Sequence, residues 1–390
     1  MPKQKKNDDL FAELAEDFGG EVLNAIPPVK FFVDTGNLAL NYICSGKFMG
    51  GGVPAGKIIE LYGPESSGKS LWGMNILRGT QAIGGIPVHL DCENAVNSEF
   101  AAKASHIDLS KIVRFAPDCL EAVFAKIFNI IRKVREKDTE RPLVFVYDSI
   151  AVSPSERELR ETTVSENPTP TEWKQKVGSK EQPGERAKII NRELRKLEAL
   201  LEKNNATLVV MNQTRKKIGV FMGSDETTTS GEALKFYAGL RLRTSTQKKI
   251  DNKKLGTLIG VNLKIKNVKN RIFRPFAEVE GVQLYFEKGV NPLSGLLTCL
   301  EQAERIEKVS NGVYKVLEPW AAGQEIKFRG SKARNDVDAE TLLKCPALID
   351  AKDEQEVKDY LALFGEAIDQ GMSEDVEEID VERGEGEFMD

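Results

Sequence analysis

The sequence predicts an α/β fold: a mostly parallel, twisted sheet with helices on both faces, antiparallel strands along one edge, and a small α+β domain after it. Three observations predict it. An apolar, β-branched run at 57–62 leads into a glycine-containing loop and then a proline-free stretch at 70–82. From residue 56 to 211, strand-like runs alternate with runs of helical periodicity, the pattern of parallel strands joined by crossover helices. After residue 238 the helices drop out, and strand-like runs follow one another over short connections. The expected boundaries are 1–33 for an N-terminal oligomerisation helix and linker, 34–290 for the core, 291–372 for the small domain and 373–390 for an acidic disordered tail.

Each element has a local reason. Leu10, Phe11, Leu14 and Phe18 recur at helical spacing over 8–18, with Asp8 as the expected N-cap and Gly19 and Gly20 as the stop. Pro27 and Pro28 separate this short helix from the core, so its apolar stripe folds onto its own chain or docks on a neighbour. Strands are expected at 57–62, 86–90, 112–115, 143–147 and 206–211, and helices at 70–82, 95–105, 120–136 and 184–203. The late strands are 238–243, 257–268 and 277–286. A long polar stretch at 153–184 holds Pro168, Pro170 and Pro183 and reads as a loop, neither sheet nor helix core.

Composition narrows the function classes. No apolar run approaches the length of a membrane span and no secretory leader is visible, so a soluble cytoplasmic protein without a membrane partner is expected. Five scattered cysteines without a C-x-x-C pair read as reduced thiols, and two histidines leave nothing for a zinc site. The net charge of −5 hides a division: from Glu374 to Asp390 nine acids stand against one arginine, so the remainder carries +3. Such a tail serves solubility, or screens a basic groove elsewhere.

Gly63, Pro64, Glu65, Ser66, Ser67, Gly68, Lys69 and Ser70 fit the phosphate-loop pattern G-x-x-x-x-G-K-[ST] between a strand and a helix. That context aims successive backbone N–H groups and the positive helix end at one point, where a nucleoside triphosphate fits. Lys69 reaches the outer phosphates and Ser70 holds Mg²⁺. Four apolar residues followed by Asp148 supply a carboxylate for the same Mg²⁺ or its waters. Glu93, just past the strand at 86–90, is the choice for orienting an attacking water, with Asp91 as runner-up. Gln213, past the strand at 206–211, suits a neutral sensor of the terminal phosphate.

A polymer-binding surface follows directly. Arg215, Lys216, Lys217, Ile218 and Gly219, with Phe221 and Met222 close behind, combine cations with apolar groups able to wedge between bases. Thr228, Thr229, Ser230 and Gly231 offer backbone donors to phosphates. Lys188, Arg192, Arg195 and Lys196 form a stripe on the 184–203 helix, opposite Ile190, Leu194, Leu197 and Leu201. Lys264 and Lys266 share one strand face by period two, a weaker second nucleic-acid site.

Together these residues resemble the RecA family of DNA strand-exchange ATPases, over about 34–286. The phosphate loop, Lys217 to Val220 with Glu226 to Thr229, Ala233 to Ala238 and Val268 to Arg271 carry the likeness. The resemblance implies a RecA-type core, ATP and Mg²⁺ as cofactors, and DNA-stimulated ATP hydrolysis. It also implies helical self-assembly on single-stranded DNA and pairing with a duplex, helped by a single-strand-binding protein and a loader. It supports Glu93 and Gln213 in their roles and places Phe100 on adenine. Phe236 would pass the nucleotide state to the subunit interface, where Lys269 and Arg271 would look across to the neighbour's ATP. Asn291 to Leu297 and Gly312 to Tyr314 are more similar to the phage UvsX branch, which implies a bacterial host cell. The first DNA loop is much longer than in bacterial members, so no single residue within 156–183 is assigned. A ring helicase of the same fold, or a non-enzymatic ATP switch, is the alternative; a ring helicase gives no account of residues 215–231.

Overall fold

The structure, a computed structural model, describes residues 3–19, 29–93, 98–162, 184–216, 226–228, 232–330, 335–372 and 376–380. The chain divides into two units, Met1–Phe31 and Phe32–Asp390. In the first, helix α1 (Lys3–Asp17) begins earlier than expected, so Asp8 lies within it and is not its cap. Its stripe of Leu10, Phe11, Leu14 and Phe18 is exposed.

The second unit opens with β1 (Phe32–Val33), α2 (Leu38–Ser45) and β2 (Val53–Pro54). The Asn37 side chain accepts from the N–H of Leu40 to start α2, and Gly46 ends it in the left-handed region. The alternating part follows as β3 (Ile58–Gly63), α3 (Lys69–Ala82), β4 (Ile86–Asp91), α4 (Ser98–Ser105), β5 (Val113–Phe115), α5 (Leu120–Arg135) and β6 (Leu143–Asp148). Then come α6 (Glu156–Thr162), α7 (Glu185–Lys203), β7 (Ala206–Lys216), β8 (Glu226–Thr228), α8 (Glu232–Tyr237), β9 (Leu240–Asn252), β10 (Thr257–Asn270), β11 (Glu278–Tyr285) and β12 (Gly289–Val290). Helix α6 falls in the stretch read as loop; residues 163–183 lie outside the described residues.

The main sheet runs β12-β11-β10-β9-β3-β7-β6-β4-β5. Pairs from β9 through β3, β7, β6 and β4 to β5 are parallel, and β9 to β12 are joined antiparallel. This is the mixed architecture that the sequence pattern predicts. Burial of one helix stripe holds each layer: Leu120, Phe124, Ile127 and Ile131 of α5 and Ile190, Leu194, Leu197 and Leu201 of α7 pack on Ile58, Phe145, Tyr147, Leu208 and Val210. Each such side chain contributes about 1.5–3 kcal/mol on leaving water. On the opposite face α3 sits so close that a Cβ on Gly73 would meet Met211 Cε at 2.1 Å. That closeness fixes the helix start over the sheet's C-terminal edge.

Beyond the core, α9 (Leu296–Gln302) leads to β13 (Ile306–Ser310), β14 (Val313–Val316) and β15 (Lys327–Arg329), a small antiparallel sheet. Helices α10 (Ala339–Lys344), α11 (Glu354–Ala362) and α12 (Gly365–Met372) follow. The tail departs from expectation. Disorder is predicted from residue 373, yet β16 (Val376–Asp380) pairs antiparallel with β9, from Val376 opposite Asn252 to Asp380 opposite Lys248. Residues 381–390 lie outside the described residues. No helix among the described residues is long and apolar enough to cross a membrane.

Candidate nucleotide and DNA sites

The phosphate loop connects β3 to α3 at the sheet's C-terminal edge. Gly68 caps α3 with φ 76°, a left-handed conformation that a side chain resists. Thr244 Oγ1 donates to Ser67 O at 3.0 Å and Ser67 Oγ to Pro64 O at 2.7 Å, so the loop is braced from β9. Lys69 Nζ donates to Gly63 O at 3.2 Å and to Pro64 O, carbonyls of its own loop. Burial pushes the Lys69 ammonium below its ordinary pKa, against the opposing pull of Asp148, Glu93 and Glu65.

A cavity of about 430 Å³ opens over this loop, lined by Glu65 to Leu71 and by Glu93, Asp148 and Gln213. The structure thus gathers in one place side chains that are far apart in sequence. Each belongs to a different strand: Asp148 closes β6, Glu93 follows β4, and Gln213, expected just past its strand, lies within β7, which continues to Lys216 to pair with β8. Burial, helped by Glu93 and Asp91 and opposed by the Ser70 hydrogen bond, pushes the Asp148 carboxyl up to about 6. A group so placed gains from a cation, and the Ser70 hydroxyl beside it completes a donor pair that suits Mg²⁺. A larger cavity of about 660 Å³ lies along β9 to β11, but Glu278, Glu280, Glu301 and Glu378 line it, which repels phosphate.

The raised value gives a pH prediction. A proton on Asp148 competes with the cation, so magnesium-dependent nucleotide affinity weakens as pH falls below about 6. Asp148→Asn lowers the affinity and removes this dependence. Isothermal titration across pH reads it, and wild-type affinity that is flat between about pH 5 and 8 would contradict it. In the free protein the sign is opposite: the folded value exceeds the unfolded one, so stability declines as pH rises toward about 6.

Two acids near the cavity separate cleanly. Ser149 Oγ donates to Glu93 Oε1 at 2.6 Å, which orients a half-buried carboxylate that faces the cavity. Asp91, the runner-up, is fully buried and takes Arg114 Nε at 3.0 Å and Nη2 at 2.7 Å. Its charge is committed to β5, so it is a structural acid. Ser149 was not expected; its position directly after Asp148 was the only signal.

The remaining expected residues fall in several places. Lys269 Nζ donates to the carbonyls of Lys235 and Phe236, each at 2.7 Å, and Arg271 reaches Phe236 O and Glu198 Oε1, each at 3.3 Å. Both cations therefore cap the C-terminal end of α8 and line no part of the cavity. Phe236 beside them is 66% exposed. Phe100 lies on α4, where only the backbone is described.

On the DNA side, Lys188 and Arg195 are exposed on α7, whereas Arg192 and Lys196 are tied to Glu193. Arg215 and Lys216 lie on β7, opposite Thr227 and Glu226 of β8. Thr228 is buried, and its hydroxyl has no hydrogen-bond partner among the described residues. Lys217, Ile218, Gly219, Thr229, Ser230 and Gly231 lie outside the described residues. Lys264 is not a free cation: it binds Glu278 at 3.1 Å and also Glu280, and Lys266 stands 3.8 Å from Glu278.

A mostly parallel sheet with a phosphate loop braced from β9, a strand-end aspartate and a sensor-like glutamine defines a P-loop ATPase. The RecA N-terminal domain family matches residues 23–291. The chain is 31% identical over 313 residues to Protein RecA of Trichodesmium erythraeum, covering 78% of each chain. It is 30% identical over 355 residues to Protein RecA of Thermus thermophilus, covering 89% of this chain and 92% of that one. Protein RecA of Mycoplasma mobile is 32% identical over 316 residues, 80% of this chain and 85% of its own. The chain belongs to the RecA family. It is an ATP-dependent recombinase and a DNA-dependent ATPase that binds DNA and associates with itself.

Proposed function

We propose that protomers assemble head-to-tail on single-stranded DNA, with ATP and Mg²⁺ held between the phosphate loop of one and Lys269 and Arg271 of the next. The observation that carries this is the separation of those cations from their own chain's cavity. A contact between unlike faces does not close on itself and generates a helix, and the exposed stripe of α1 is suited to continue it. Electron microscopy with single-stranded DNA and a non-hydrolysable ATP analogue tests the assembly: helical filaments are expected, and closed rings or dispersed monomers would refute it.

Within the seam, Lys69 contacts the outer phosphates, while Ser70 and Asp148 would hold the magnesium ion. Bound there, the ion would offset the negative charge of the phosphates. Glu93, held by Ser149, orients the attacking water. Gln213 hydrogen-bonds the terminal phosphate and, through β7, sets residues 215–231 for DNA. Arg215, Lys216, Lys217, Ile218 and Gly219, with Thr228 to Gly231, then grip the backbone, with Lys188 and Arg195 beside them. Base pairing of the held strand with a duplex supplies sequence specificity in strand exchange. A single-strand-binding protein and a loader are expected partners, and the likeness at 291–297 and 312–314 favours a phage source within a bacterial cell.

The acidic tail acts on the weaker DNA surface. Glu378 of β16 lies 3.4 Å from Lys248 of β9 and accepts at 2.8 Å from Asn262 of β10, the strand that carries Lys264 and Lys266. Truncation after Met372 is expected to raise duplex affinity several-fold at low salt, and less at high salt. Fluorescence anisotropy measures it; unchanged affinity would assign the tail to solubility alone.

A further inference from the structure

Glu60 interrupts an apolar strand. Ile58, Ile59 and Leu61 around it are buried, and Glu60 itself has no exposed surface. Its carboxylate accepts from Asn212 Nδ2 at 2.9 Å on β7 and from Arg241 Nε at 2.5 Å on β9. Arg241 is 7% exposed, and its guanidinium lies 4.8 Å from the centre of the Tyr62 ring. Asn212 passes the contact on: its Oδ1 accepts the backbone N–H of Gln213 at 3.0 Å. Three adjacent strands are thus laced together by charge and hydrogen bonds, three positions below the first glycine of the phosphate loop.

The far end of this lacing reaches the interface cations. Arg241 pairs in register with Lys269, whose ammonium sits on the α8 carbonyls of Lys235 and Phe236. Burial depresses the Lys269 pKa, Arg271 and Arg241 add to the effect, and Glu198 and Glu60 oppose it, so these groups feel one another's charge.

An ion pair buried among apolar residues is a poor source of stability, because desolvation offsets the attraction and apolar residues of similar volume often do as well or better. What it supplies is geometry, since a carboxylate accepting from two sides holds its partners at fixed positions. We propose that Glu60 is a positioning residue, whose bonds to Asn212 and Arg241 couple the phosphate sensor Gln213 to the Lys269 end of α8. The proposal rests on the sensor role of Gln213.

The test compares Glu60→Leu/Arg241→Leu, Glu60→Gln and Gln213→Ala with the wild-type chain. In the double variant we expect an unfolding temperature at or above wild type and affinity for a fluorescent ATP analogue within about twofold. DNA-stimulated kcat falls roughly tenfold to a hundredfold, with KM for ATP little changed. Glu60→Gln keeps an acceptor for Asn212 but loses the charge facing Arg241, and falls between. Full stimulation in the double variant, with stimulation lost in Gln213→Ala, overturns the proposal and leaves the sensor standing. Full stimulation in Gln213→Ala removes the sensor, and the coupling with it. If the double variant does not fold, Glu60→Gln decides on the same readout: wild-type stimulation overturns the proposal, a reduced kcat at unchanged KM supports it.

Discussion

Lys69→Ala is expected to abolish tight ATP binding and, with it, every DNA-dependent activity. The ammonium is half-buried at the start of α3 and now rests on the carbonyls of Gly63 and Pro64. Those contacts are local and replaceable by water, so their loss costs the fold little. The phosphates have no such substitute. Removing one partner of a desolvated, hydrogen-bonded charge pair costs about 2–5 kcal/mol, or roughly thirty-fold to several-thousand-fold in affinity. Titration with a fluorescent ATP analogue measures the loss, and thermal unfolding should move by no more than a few degrees. Lys69→Arg is expected to fail as well, because a planar fork does not replace a compact ammonium in a loop this tight. Near-normal ATP affinity in Lys69→Ala would remove the loop from the reaction.

What was legible in the sequence was what is local. The phosphate loop is a contiguous motif whose strand and helix flank it directly, so residues 63–70 could be placed from spacing alone. Asp148 was legible for a related reason: an apolar run fixes where β6 ends, and parallel strands end at one edge, whereas β7 runs past its apolar run, through Gln213 to Lys216. Contacts set by register were not legible. Nothing near Lys264 shows that β11 places Glu278 and Glu280 against it. Nothing near Asp91 shows that β5 brings Arg114 alongside. The tail was misread for another reason. Backbone hydrogen bonding to a sheet edge does not depend on side-chain type, so an acidic segment can pair with β9 while its composition points to disorder. In the same way β9 runs to Asn252, past the expected end at residue 243, through the charged stretch that holds Lys248 and Lys249.

Glu93→Ala should separate binding from chemistry. The carboxylate faces the cavity from the end of β4, is held by Ser149 at 2.6 Å, and among the described residues makes no hydrogen bond to Lys69 or Ser67 of the phosphate loop. Its removal takes a negative charge away from the phosphate site, so ATP affinity should hold or rise slightly. Loss of a positioned base costs about 10²–10⁴ in rate, equivalent to roughly 3–5.5 kcal/mol of barrier. DNA-stimulated kcat should therefore collapse while DNA-bound assemblies persist with ATP instead of turning over. A second consequence checks the geometry independently. Glu93 is among the charges that raise the Asp148 carboxyl to about 6, so its removal should move the pH midpoint of magnesium-dependent nucleotide binding downward. Ser149→Ala, which leaves the carboxylate but frees its orientation, should lower kcat by a smaller factor and leave that midpoint near the wild-type value. Glu93→Ala with undiminished DNA-stimulated turnover would return the role of base to another group. A lost kcat with an unmoved midpoint would place Glu93 farther from Asp148 than the cavity suggests.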